Sequence, residues 1–131
     1  MAVKKYEARK ALIRLNGRDK YLAVRRHESD GGHYEVPGGR KNHESESDSE
    51  VLNREVYEET GLKVKIIRML NAWSLDLPHV NMHLDGITYL CGSDSNQVTL
   101  AEEHDLYKWV TLDEFKKLNI QPWLRDALDK L

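Results

Sequence analysis

The segment from Ser47 to Gly61, SDSEVLNREVYEETG, carries its own start and stop signals and so limits what the chain around it can become. Ser47 with Glu50 three residues later has the spacing of a capping box, and Gly61 supplies the residue type that most readily takes the left-handed conformation closing a helix. One helix is predicted between them, with Val51 or Leu52, then Val56 and Tyr57, on its packing side. Strand signals surround it. Two apolar stretches, residues 11–15 and 21–24, flank Asn16-Gly17-Arg18-Asp19, and Asn-Gly tolerates the positive backbone angles of a hairpin turn. Ser29-Asp30-Gly31-Gly32 reads as a loop, followed by an extended Tyr34-Glu35-Val36 that Pro37-Gly38-Gly39 stops. Residues 40–49 are too polar to bury and read as a solvated loop. Residues 62–73, 83–91 and 106–111 read as strands, with a turn at 94–97. Residues 112–118 and 123–131 read as helical pieces separated by Pro122. Strands before and after one central helix, with helices at the end, predict an α/β sandwich with a mixed sheet.

Length and charge bound the function. The 131 residues, 40% hydrophobic and 32% charged, fit one domain over residues 1–131. A net charge of -2 lacks the basic signature of a duplex-DNA binder, so an anionic ligand must be held by local charge or by metal. The single cysteine, Cys91, has no partner for an internal disulfide, and the start MAVKKYEARK carries no apolar signal core. These features favour a cytoplasmic setting. No run approaches the roughly 18 apolar residues of a membrane span.

Within the predicted helix, Glu58 and Glu59 lie at about 300° and about 40° relative to Glu55. The three carboxylates share one face and repel each other. Such a face needs either a compensating cation or plain exposure to solvent, and spacing alone leaves both open. Histidines offer no competing metal motif: His79 and His83 have i, i+4 spacing, but Pro78 and the strand pattern argue against a helix there. Cys91 and Trp109 read as core residues.

The wider context decides between these readings. The run from Glu46 through Arg54-Glu55-Val56-Tyr57-Glu58-Glu59-Thr60-Gly61-Leu62 resembles the signature of the Nudix hydrolases, G-x5-E-x7-R-E-U-x-E-E-x-G-U, where U is a bulky aliphatic residue. Every specified position from Glu46 onward matches. Upstream, six residues separate Gly39 from Glu46 where the pattern has five, which reads as a one-residue insertion in the loop. The hairpin before the glycines and the closing EEHDLYKWVTLDEF also resemble the family's α/β/α sandwich.

The resemblance implies a hydrolase of phosphoanhydride bonds. Hard divalent cations with oxygen ligands bind phosphate, stabilise developing charge and orient a water, and carboxylates on one helix face suit that task. Glu58 and Glu59 are then expected ligands of Mg²⁺ or Mn²⁺, together with the Gly38 carbonyl. Glu55 is either a further ligand or the base that activates water. Arg54 is expected to orient a box glutamate, with Glu46 closing the network. Glu103, beside Glu102 before the last strand, is a candidate ligand or base, and a solvated loop explains the pair equally well. His104 beside it reads as a loop histidine.

For the rest of the substrate, Gly38 and Gly39 let backbone approach a ligand closely. Arg25, Arg26 and Arg40 are candidates to flank a polyphosphate, and Tyr34 and Trp73 to stack on a planar group. Packing, or solvation for the arginines, is the competing use of each. By resemblance, Asn119 is a candidate for a purine edge, with a capping or loop role as the alternative. The substrate expected is a small nucleotide: a nucleoside triphosphate, oxidised or noncanonical ones included, cleaved to a monophosphate and pyrophosphate. ADP-ribose or nucleotide-sugar hydrolysis and a catalytically silent nucleotide-binding module are the alternatives. No nucleic-acid or membrane partner is expected, and the assembly is a monomer or homodimer.

Overall fold

A computed structural model describes residues 2–131. Its strands are β1 (Lys4–Leu15), β2 (Tyr21–Arg26), β3 (Tyr34–Glu35), β4 (Gly38–Arg40), β5 (Lys65–Leu77), β6 (Met82–Ser93) and β7 (His104–Val110). The helices are α1 (Asp48–Thr60), α2 (Leu112–Lys116) and α3 (Pro122–Leu128). One mixed sheet runs β3-β2-β1-β6-β5, with β4 paired to β1 and β7 to β2. The expected Asn-Gly hairpin joins β1 and β2 antiparallel, whereas β1 and β6 lie parallel from Lys4↔Met82 to Leu15↔Ser93.

The apolar runs of β1 and β2 are buried on both faces, so successive side chains serve two different cores. Leu12, Tyr21 and Ala23 join Phe115, Trp123, Leu124 and Leu128 beneath α2 and α3. Ala11, Ile13, Leu22 and Val24 join Leu52, Val56, Leu62 and Cys91 beneath α1. Helix, sheet, helix is the resulting order of layers, as the sequence predicts.

Local signals explain where α1 begins and ends. The Ser47 side chain accepts from the Glu50 N–H at 3.1 Å, and the Glu50 carboxylate accepts from the Ser47 N–H at 3.0 Å. Gly61 closes the helix in the left-handed conformation and donates to Tyr57 O. Arg9, buried in β1, holds Asp48 in the first turn at 2.7 Å, and the Tyr89 hydroxyl donates to the same carboxylate. These contacts fix the acidic helix against the centre of the sheet.

Several local expectations need correction. Tyr57 points to solvent, 56% exposed, because Val51, Leu52, Val56, Glu59 and Thr60 occupy the packing side. Pro37-Gly38-Gly39 does not end regular structure: residues 38–40 form β4 and pair with β1 at Lys10↔Gly38 and Arg9↔Gly39. The strand after α1 begins at Lys65, not residue 62, and continues to Leu77, since Leu62 and Val64 turn into the core under α1. Pro122 opens α3 at a position where its missing N–H costs nothing, and does not merely separate two helices. His104 is no loop residue but the first of β7, buried at 3% exposure.

That placement depends on a break in the β2·β7 ladder. Arg25 faces Leu106 but Arg26 faces His104, leaving Asp105 as an extra residue in β7.

Candidate active site

Residues of the acidic helix meet the β4 turn at one end of the β1·β4 pair. Gly39 lies against the Glu55 carboxyl group: a Cβ at this position would stand 2.4 Å from its carboxyl carbon. A side chain at this position would displace the carboxylate. The Gly38 N–H donates to Glu59 Oε2 at 3.1 Å, so the two glycines address two different glutamates.

Glu46 is buried, in the loop between β4 and α1. Arg54 donates to both Glu46 oxygens, through Nε at 3.2 Å and Nη2 at 3.1 Å, and to Glu55 Oε1 at 2.6 Å. A guanidinium held by one carboxylate thereby orients the next. The Asn42 N–H also donates to Glu46, at 2.7 Å. Arg54, with Asn42 second, holds the Glu46 carboxyl below its ordinary value.

The three helix carboxylates share a face but not a depth: Glu58 is exposed, Glu55 half-buried and Glu59 only 3% exposed. Burial raises the Glu59 carboxyl most. Lys10 and the Gly38 N–H oppose the rise, Glu103 and Glu55 add to it, and the result is about 8.

Glu59, Glu103 and His104 each offer a ligand atom, all within 4.8 Å of one another. These donors fit a divalent cation. Two are carboxylate oxygens, Glu59 gains a counter-charge it lacks, and the buried His104 Nδ1 has no hydrogen-bond partner.

Behind this cluster stand residues whose role the sequence does not reveal. His104 Nε2 lies 2.8 Å from Glu35 Oε2. Glu35 also has Lys10 Nζ at 3.4 Å and Arg26 Nη1 at 3.6 Å. Burial acts on Glu35 most strongly and would raise its carboxyl, but Lys10, His104 and Arg26 outweigh it and hold the group down to about 2. A lysine just ahead of the apolar run of β1 and a glutamate between Tyr34 and Val36 were the available signals, since buried charges are retained where they are paired.

A cleft of about 260 Å³ opens beside Gly39, with Trp73 and Trp123 in its wall and Lys10, Glu35, Arg40 and Gln121 around it. The two indoles stack with centroids 4.7 Å apart and planes at 25°. Trp73 Nε1 donates to Thr88 Oγ1 at 3.1 Å, and its ring lies over Gly86, where a Cβ would sit 2.2 Å from the indole. Trp123 Nε1 donates to the Gln121 side chain at 2.8 Å.

Other sequence candidates lie apart or have other contacts. Asp105 holds Arg25 through two hydrogen bonds of 2.9 Å. The Arg40 guanidinium lies 4.2 Å over the Tyr6 ring. Tyr34 is buried, with Lys108 above its ring, and its N–H donates to the Asn119 carbonyl. That contact uses the backbone of Asn119, whose side chain is on an exposed residue.

The match across residues 5–131 is to the NUDIX domain, and the chain belongs to that family. It is thus a hydrolase of phosphoanhydride bonds, in a family that acts on small nucleotide substrates and generally uses a divalent metal. Among solved structures, the MutT protein from Methanosarcina mazei Go1 has 27% identity and a TM-score of 0.84, covering 98% of this chain and 94% of that one. A C. elegans Ap4A hydrolase has 18% identity and a TM-score of 0.79, covering 95% and 93%. The E. coli dihydroneopterin triphosphate pyrophosphohydrolase has 16% identity and a TM-score of 0.76, covering 100% and 97%. Comparison with curated protein sequences finds no match. Among the described residues, no helix is long and apolar enough to cross a membrane.

Proposed function

We propose that this chain, as one hydrolase domain, cleaves a nucleoside diphosphate linked to a further group, with a nucleoside triphosphate as the favoured substrate and a monophosphate and pyrophosphate as products. The observation that carries this reading is the tryptophan-walled cleft opening beside Gly39, the residue that lies against the Glu55 carboxyl group. The two indoles with Leu75, Leu77 and Leu84 give the cleft an apolar wall that suits a base, and Gln121 brings an amide to the same cleft. The neighbours' names point to varied phosphoanhydrides, Ap4A and dihydroneopterin triphosphate among them, so the cleft residues are the better guide to the base.

In this reading, water adds to one phosphorus, the bridging P–O bond breaks, and Glu55 takes the proton of the water. Arg54 and Gly39 hold the Glu55 carboxylate in place for that transfer. Glu59 and Glu103 hold the cation, with Glu58 available at the solvent side. When bound, Mg²⁺ or Mn²⁺ supplies charge neutralisation on the phosphate oxygens. Lys10 and Arg40 border the cleft and add positive charge toward the leaving phosphates.

Product release from a panel of nucleoside triphosphates, including 8-oxo-dGTP, with ADP-ribose and nucleotide sugars alongside, tests the reading. Metal-dependent turnover of triphosphates is expected, and Trp73→Leu, which removes part of the apolar wall of the cleft, should raise KM about tenfold. Turnover confined to ADP-ribose or nucleotide sugars would overturn it.

A further inference from the structure

His104 is the one buried side chain of the cluster whose ring nitrogen faces the acidic residues without a partner. Its other nitrogen, Nε2, meets Glu35, and Glu35 is flanked by the cations of Lys10 and Arg26. A carboxylate so placed only accepts hydrogen bonds, so Nε2 carries the ring hydrogen. A neutral imidazole then has its lone pair on Nδ1. That atom has no hydrogen-bond partner and lies 4.0 Å from Glu59 Oε1. The distance is too long for a hydrogen bond. Two metal–ligand bonds of about 2.1 Å span up to about 4.2 Å, so one ion can join these two donors from nearly opposite sides.

We propose that Glu59, Glu103 and His104 Nδ1 form a mixed nitrogen and oxygen site for a divalent transition-metal ion, with Glu35 orienting the imidazole from behind. The proposal rests on Glu59 and Glu103 being cation ligands and adds to that reading the histidine ligand and the selectivity it brings. Carboxylates alone suit Mg²⁺, Ca²⁺ and Mn²⁺ alike, while an imidazole donor favours the first-row transition metals over Mg²⁺ and Ca²⁺, least for Mn²⁺ and more for the later metals. A carboxylate behind a ligating histidine fixes its tautomer and rotation, the role the Glu35 contact performs here. The hydrogen-bonded Glu35 and the unpartnered Nδ1 are separate observations, and both direct the same ring atom at the same carboxylates.

The metal alone is a sufficient probe. Mn²⁺ titrated into the purified chain and examined by pulsed electron paramagnetic resonance should show ¹⁴N modulation from a directly bound imidazole. In His104→Gln the modulation should vanish and the preference for Mn²⁺ over Mg²⁺ should fall about tenfold, while Glu35→Gln should weaken Mn²⁺ binding about tenfold with the modulation retained. Should the buried His104 variant fail to fold, Glu103→Gln at its exposed position serves instead: the ¹⁴N signal must weaken with it. A signal indifferent to Glu103→Gln comes from another histidine and overturns the assignment. Mn²⁺ bound without ¹⁴N modulation, and lost in Glu59→Gln, removes the histidine ligand but leaves the acidic site standing. Absence of any Mn²⁺ binding removes both.

Discussion

Glu35 and Glu59 stand on opposite sides of one imidazole and are buried to similar depth, at 7% and 3% exposure, yet their carboxyl groups differ by several pH units, about 2 against about 8. The difference lies in the company each keeps. Glu35 faces Lys10, Arg26 and the His104 ring hydrogen, so its charge is balanced within the protein. Glu59 feels Lys10 too, but has no paired cation: it receives one backbone N–H and faces Glu103 and Glu55. Burial alone therefore says little about the use of a buried acid; the balance of neighbouring charge says more. In our reading, Glu35 is a complete structural charge and Glu59 is one that a bound cation completes.

The comparison breaks most visibly at Glu59 itself. Glu59→Gln should lower turnover about a thousandfold, corresponding to a few kcal/mol of lost charge stabilisation. Thermal melting in chelator should rise in the same variant, because the repelled carboxyl is gone; a melting temperature that falls would show that Glu59 is balanced like Glu35. Next comes Lys10→Met, which leaves Glu35 buried with fewer cations and should cost about 3 kcal/mol in urea unfolding, the scale of breaking a buried pair. A cost near zero would mean that Arg26 and His104 suffice.

The two acids also give opposite pH signatures. Glu59 is raised above its ordinary 4.5, so between 4.5 and about 8 the folded chain holds more protons than the unfolded one, and stability in chelator declines as pH rises through that window. Cation binding displaces the same proton, so Mn²⁺ affinity should climb up to about tenfold per pH unit below 8. Glu35 is lowered, so its contribution is complete above 4.5 and is lost as pH falls toward about 2. Urea midpoints from pH 3 to pH 9, with and without Mn²⁺, read both signs. The smallest effect expected is from Gly39→Ala. Its methyl pushes the Glu55 carboxyl away from Arg54, and kcat should fall about tenfold with little change in thermal melting.

Features with local causes were legible in the sequence. The Asn16-Gly17 turn, the Ser47 and Glu50 cap, the Gly61 stop and the spacing from Glu46 to Leu62 each depend on residues close in the chain. Even there, residue type left depth undecided: Glu55, Glu58 and Glu59 look alike in a helical projection but end half-buried, exposed and buried. Lys10, Glu35, His104 and Trp123 were not legible as neighbours because their meeting depends on register. β1 must pair with β4 at Lys10↔Gly38, β2 with β3 at Val24↔Glu35, and β2 with β7 at Arg26↔His104. No short-range pattern specifies those partners.

The extra residue at Asp105 gives the last of these pairings a particular meaning. A regular continuation from Arg25↔Leu106 would set Asp105, not His104, opposite Arg26 and on the Glu35 side of the sheet. Strand register at this point thus acts as a chemical variable: straightening the bulge with Asp105 retained would put a carboxylate where Glu35 now grips the imidazole ring. Among relatives of this chain, gaps in the alignment just before the last strand should carry as much information about metal preference as the letters on either side of them.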